Sequence, residues 1–165
     1  MWIGWPGCPD DAPAERLLNE YSQQLNYRVK PILISREEID KFYLGFSNNS
    51  IWPLFHDLLG HFSFQFEEWN AYVEVNRRFA ETIAQIARPE SLIWIHDYHL
   101  LLVGHFLREF GIENHLNFFL HIPFPSYDLY RRLPWKHELL QAILDYDHIG
   151  FQTPSDRRNF IQCVK

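Results

Sequence analysis

The stretch from Leu92 to Pro125, LIWIHDYHLLLVGHFLREFGIENHLNFFLHIPFP, constrains the fold more than any other part of the chain. Two apolar bursts, Leu92–His96 and Asn117–His121, each end in a polar side chain. Between them Leu100, Leu101, Phe106 and Leu107 recur at helical spacing, and Phe110-Gly111 closes the run. Strand, helix, strand is the βαβ unit of a parallel sheet. Open parallel sheets take ligands beyond the carboxyl ends of their strands. His96, Asp97, Tyr98 and His99 follow the first strand, and His121-Ile-Pro-Phe-Pro follows the second. All of them therefore belong to one rim of the sheet. Pro123 and Pro125 hold the second exit extended.

The flanking sequence continues the alternation. Met1–Trp5 reads as a short strand before a Pro-Gly turn, 13–24 as a polar helix, and Arg28–Ser35 as a strand. Ser35-Arg-Glu-Glu has the capping-box spacing of a helix start, running through Phe42. Gly45 and Ser47-Asn-Asn-Ser predict a break, and Pro53 predicts the first turn of a new helix. The longest helix is expected over Phe66–Ala87. It carries Trp69, Tyr72, Val73, Asn76, Phe79, Ala80, Ile83 and Ala87 at three- and four-residue spacing. Asn76 lies on that apolar stripe and requires a hydrogen-bond partner there. Short helices over Ser126–Leu133 and Trp135–Asp145, a strand over His148–Gln152 and a helix from Thr153 to Lys165 complete an α/β, Rossmann-like, doubly wound fold.

Composition removes several function classes. The 165 residues are 47% hydrophobic, enough for one folded domain. A net charge of −6 argues against a nucleic-acid backbone as partner. No apolar run approaches a membrane span, and the amino terminus lacks the basic region of a signal peptide. Cys8 and Cys163, at opposite ends, read as reduced thiols of a cytoplasmic protein. Aromatics at 17% serve a core, but they also stack on sugar rings or bases.

The rim carries Asp, His, Tyr and Trp without a standard catalytic signature. His96, Asp97, His99 and His121 lack the spacing of a zinc site. No Gly-x-Ser-x-Gly elbow is present, nor a Walker or Gly-x-Gly-x-x-Gly phosphate loop. A carboxylate accepts hydrogen bonds from hydroxyls, and aromatic faces cover the C–H face of a sugar. Carbohydrate chemistry fits these residue types. In the purely structural alternative, His96 and His99 tie loops together, and Tyr43 and Trp52 pack in the core.

Four segments, 43–56 (YLGFSNNSIWPLFH), 94–100 (WIHDYHL), 118–125 (FFLHIPFP) and 149–153 (IGFQT), together resemble the trehalose-6-phosphate synthase family. The resemblance implies the N-terminal half of a GT-B glycosyltransferase. It implies retaining transfer of glucose from UDP-glucose to glucose 6-phosphate, with no metal and no cofactor. It puts the family's acceptor-binding aromatics on Tyr43 and Trp52, its active-site aspartate on Asp97, and the histidine near the transferred glucose on His121. The WIGWPG start resembles the border of the acceptor pocket, leaving Trp2 and Trp5 as alternatives. The resemblance also implies that residues 1–165 form an incomplete acceptor-side domain. The family's first strand with its glycine-rich loop, and the donor domain that holds the diphosphate, are expected outside it. Pairing with a second copy or with a donor-domain chain is then expected. Another phosphorylated acceptor, as in glucosylglycerol-phosphate synthesis, and a non-catalytic sugar-phosphate-binding role are the alternatives.

Overall fold

The computed structural model describes residues 1–10, 16–18, 20, 28–58, 60 and 63–165. Most of the helix expected over 13–24 lies outside them. Among the described residues the strands form two parallel sheets. One pairs β1 (Trp2–Gly4) with β2 (Val29–Pro31), Trp2 opposite Val29. The other has the order β3 (Ile93–His96), β4 (Leu116–Leu120), β5 (His148–Phe151). Ile93 lies opposite Leu116, and Asn117 opposite His148. The α/β, parallel-strand expectation holds. The strand expected over Arg28–Ser35 is shorter, because β1 offers a partner for only three residues. Beyond it, Ile32 N still donates to Gly4 O, and Asp10 N donates to Ile34 O.

The capping box at Ser35 is present. Its hydroxyl accepts from Glu38 N, while the Glu38 carboxylate accepts from Ser35 N. It opens α1 (Arg36–Glu38), which passes directly into a π-helix over Ile39–Ile51 and then into α2 (Trp52–Phe55), with Pro53 in its first turn. The predicted break at Gly45 and 47–50 is therefore wrong: helical winding runs through both. Packing overrides local propensity here. Gly45, Ser47 and Ser50 are buried, and Phe46 packs among Trp69 and Tyr72 of the long helix α3 (Phe66–Ile86). The Ser50 hydroxyl finds a partner in Ser63 O.

The buried face of α3 is Trp69, Tyr72, Val75, Asn76, Phe79, Ala80 and Ile83. Val75 replaces Val73, which sits only at the margin of the core. Two polar groups on this face hold the loop after β3. Asn76 Nδ2 donates to Tyr72 O at 2.9 Å and His99 O at 3.0 Å, and its Oδ1 accepts from Leu102 N at 3.1 Å. Tyr72 donates to Tyr98 O at 2.7 Å and accepts from Leu101 N at 3.1 Å. The partner that the sequence demands for Asn76 is thus the loop that carries Asp97.

The carboxyl rim is fixed from its other end by α7 (Pro154–Val164), which follows α4 (Val103–Glu109), α5 (Tyr127–Tyr130) and α6 (Lys136–Leu144). Buried Asp156 closes the capping box with Thr153, and its Oδ1 accepts from Phe124 N at 3.0 Å. Asn159 donates to Phe124 O at 2.9 Å. The stiff Pro123-Phe124-Pro125 exit of β4 is thereby bonded to the start of α7. Among the described residues no helix is long and apolar enough to cross a membrane.

Candidate active site

A cleft of about 1220 Å³ opens between β1 and β3. Its walls include Trp2, Gly4, Tyr43, Ile93, His96 and His99. Asp97 directly follows His96 at the carboxyl end of β3, with φ 74° and ψ 166°. A non-glycine residue in this region stores about 1–3 kcal/mol of strain and persists only where its surroundings impose it. The constraints are visible. Asp97 N donates to Phe119 O at 2.9 Å, and Oδ1 accepts from Tyr98 N at 3.0 Å and from His121 N at 3.2 Å. Neither hydrogen bond to the carboxylate uses Oδ2. The Asp97 carboxylate and the His121 backbone, expected to share one rim, are directly bonded.

The rest of the rim is aromatic and imidazole. Tyr43 stacks on His99 with ring centroids 5.4 Å apart and 13° between planes, and Trp5 packs on Tyr43 at 5.0 Å. Trp5 Nε1 is held by Cys8 O at 2.8 Å. Trp2 instead lies against His96, at 6.4 Å. The two tryptophans left as alternatives thus have different neighbours, Trp5 joining Tyr43 and Trp2 joining His96. His96 Nδ1 lies 3.0 Å from His121 Nε2, and Gln152 at the end of β5 donates to His121 O at 2.5 Å.

Trp52 is 38% exposed and packs on His56 with ring centroids 4.1 Å apart and planes tilted by 31°, so it is not a core residue. It follows Tyr43 by nine residues. In an α-helix that spacing is about two and a half turns, which would set the rings on opposite sides. Bonded i→i+5, the same nine residues make about two turns, so both side chains leave one side of the helix. The π-winding therefore aligns two aromatics that α-winding would separate. No sequence pattern indicated it.

The electrostatics favour neutral imidazoles at His96 and His99 and a protonated phenol at Tyr98. Burial holds His96 below the usual histidine range, with His121 adding to the effect and Asp97 opposing it. Burial also lowers His99, again opposed by Asp97. The buried His99 Nε2 has no protein hydrogen-bond partner among the described residues. Burial, then the Asp97 charge, raises the Tyr98 phenol well above its ordinary value, and its hydroxyl donates to Asn48 Oδ1 at 2.9 Å. Among the described residues no three His, Cys, Asp or Glu side chains gather as a metal site.

These shifts contribute to the acid sensitivity of the fold. An unfolded histidine takes up its proton near pH ~6.5, whereas folded His96 and His99 resist protonation to lower pH. The unfolded state binds more protons in the window just below pH ~6.5, so stability falls as the pH drops through it. Melting temperatures at pH values on either side of that window should show the loss. His99→Phe, which keeps the stack on Tyr43, should reduce it. An equal loss in the variant would exclude His99 as a source.

The model of glycosyltransferase family 20 matches residues 1–165. The chain belongs to glycosyltransferase family 20. It is 40% identical over 160 residues to a trehalose-6-phosphate synthase of Mycolicibacterium vanbaalenii, covering 97% of this chain and 33% of that protein. A solved alpha,alpha-trehalose-phosphate synthase (UDP-forming) from Burkholderia xenovorans, in complex with glucose-6-phosphate, superposes with a TM-score of 0.83 at 31% identity, over 97% of this chain and 35% of that one. An E. coli structure described as trehalose-6-phosphate bound with UDP-2-fluoro glucose superposes at 0.87 with 36% identity, over 99% and 36%. The chain thus spans about a third of the length of the relatives it matches. Membership in family 20 agrees with the glycosyltransferase resemblance and with the N-terminal GT-B half that it implies. The sequence reading named Tyr43, Trp52, Asp97 and His121, but assigned no role to Gln152 and did not foresee contact between His96 and His121. Two residues 25 apart in sequence give no pairwise signal; only the β3–β4 register makes them neighbours.

Proposed function

We propose that this chain forms the acceptor side of a retaining glucosyltransferase that makes trehalose 6-phosphate from UDP-glucose and glucose 6-phosphate. In that reaction the bond from glucose C1 to the diphosphate breaks. A bond from C1 to the anomeric oxygen of the acceptor forms on the same face. The acceptor's hydroxyl proton leaves with the diphosphate. Tyr43 and Trp52, on one side of the π-helix, contact the acceptor, and Asp97 Oδ2 accepts from a sugar hydroxyl. His121 orients the transferred glucose. Neutralisation of the departing diphosphate, a large term in such transfers, falls to the donor half. The observation that carries this reading is the strained Asp97 backbone, with one carboxylate oxygen tied and the other clear of those bonds.

Glucose 6-phosphate, added to the isotope-labelled chain, should shift the resonances of Tyr43, Trp52 and Asp97, and glycerol 3-phosphate should not. Equal shifts with both would favour a different phosphorylated acceptor, and no shift at these residues would remove them from an acceptor site. With UDP-glucose and glucose 6-phosphate, the 165 residues alone should form no trehalose 6-phosphate. Product formation would show that this chain can stabilise the leaving diphosphate unaided.

A further inference from the structure

The contact between His96 and His121, at the ends of β3 and β4, has no role in the preceding account. His96 Nδ1 and His121 Nε2 lie 3.0 Å apart, at hydrogen-bond distance for two ring nitrogens. The His96 ring is itself located by stacking. Trp94 lies parallel to it at 5.5 Å and 15°, and Trp2 at 6.4 Å and 22°. The backbone of His121 is pinned at N by Asp97 Oδ1 and at O by Gln152. With both residues held, the contact between them has little freedom.

Two facing imidazole nitrogens bond only when one carries a proton and the other a lone pair. Two protonated rings would place N–H against N–H and charge against charge. The pair therefore shares a single proton across the contact. Once that proton is assigned, the tautomer of His121 is assigned, and Nδ1 remains as its second nitrogen. A histidine that meets a sugar hydroxyl must present either a donor or an acceptor consistently, because a tautomer mixture divides the bound population. The nitrogen that a histidine presents is set by the hydrogen bond that its other nitrogen makes.

We propose that His96 is a positioning residue of the transferase site: its Nδ1 hydrogen-bonds His121 Nε2 and holds His121 in one tautomer and one ring orientation toward the transferred sugar. The sugar-facing part of this inference rests on the proposed function. The tautomer lock does not, and can be measured without turnover.

The test uses the 165-residue chain labelled with ¹⁵N at histidine. The wild type should show a ¹⁵N–¹⁵N scalar coupling between His96 Nδ1 and His121 Nε2 across the hydrogen bond. His121 nitrogen shifts should be those of one tautomer. His96→Phe keeps a flat ring between Trp2 and Trp94 but removes the nitrogen. The coupling should vanish and the His121 shifts should move to tautomer-averaged values, with the amide spectrum of the rest of the chain preserved. His96→Asn returns a polar atom near the position of Nδ1 and should restore a single His121 tautomer. Absence of the coupling in the folded wild type would overturn the proposal. So would His121 shifts in His96→Phe identical to the wild type. If His96→Phe fails to fold, the coupling in the wild type and the tautomer in His96→Asn still decide it. A confirmed lock in a chain that does not respond to glucose 6-phosphate would uphold the His96 contact and count against the acceptor site. The two conclusions are therefore separable.

Discussion

In a polypeptide joining this chain to a donor half from its family, Asp97→Asn is expected to lower turnover on the order of 10²-fold or more. The local geometry explains why so small a change should matter. Oδ1 faces two backbone N–H groups, Tyr98 at 3.0 Å and His121 at 3.2 Å. An asparagine keeps its carbonyl oxygen on that side, because an amide NH₂ there would oppose two donors. Its NH₂ must then occupy the position of Oδ2. In the proposed site a sugar hydroxyl would then meet a donor in place of an acceptor, and the negative charge is gone. If the carboxylate interaction strengthens as positive charge develops on the transferred glucose, kcat falls. If it serves only to bind acceptor, KM for glucose 6-phosphate rises and kcat is kept. The expected outcome is the fall in kcat, with the backbone bonds and fold intact. Wild-type values for both constants would exclude Asp97 from the site. A glucosyl–Asp97 adduct would replace the hydrogen-bonding role with covalent catalysis, for which a retaining enzyme holds its two carboxyl groups about 5 Å apart.

Gly104→Ala should destabilise the chain by about 3 kcal/mol, against the ordinary direction of this substitution. In an exposed helix interior, alanine is favoured over glycine by about 1 kcal/mol. Gly104 is buried in α4, and a Cβ built there would lie 2.6 Å from Cζ of Tyr146, inside contact distance. Tyr146 has no free direction of escape. It is buried, packs against Phe118, donates to Leu100 O at 3.1 Å and accepts from Gly104 N at 2.9 Å. Overpacking costs about 1–3 kcal/mol, and leaving a buried N–H or C=O unpaired costs a further ~1–3 kcal/mol. Denaturant midpoints of wild type and variant measure the sum. Gly104→Ala together with Tyr146→Ala should recover the steric part but not the hydrogen bonds. A stabilised single variant would show that the ring moves freely.

The residues of the candidate site differ in how far local sequence encodes them. The β3–α4–β4 unit was legible because strand and helix periods are local properties of ten or so residues. Asp97 and His121 were legible for the same reason: each directly follows an apolar burst, and parallel strands put such positions on a common rim. The Ser35 capping box and the start of α7 at Thr153-Pro154 were also readable, because a helix start is bonded within three residues. Asn76 lay between these cases. Its place on an apolar stripe announced that it needed a partner, but only the fold identified the loop that supplies one.

The sequence by itself determined the strand–helix–strand order of the central unit and the rim on which Asp97 and His121 stand. Both follow from short-range backbone bonding and hydrophobic period. Tertiary structure alone decided three further things: the helical phase that sets Tyr43 and Trp52 on one side, the need for glycine at position 104, and the contact of His96 with His121. Winding i→i+5 is rare and locally disfavoured, so it is the packing of Gly45, Phe46 and Ser50 that selects it here. Space for Tyr146 and the distance between two imidazoles depend on residues tens of positions away. Such contacts exist only after the chain has collapsed, so no local pattern can encode them.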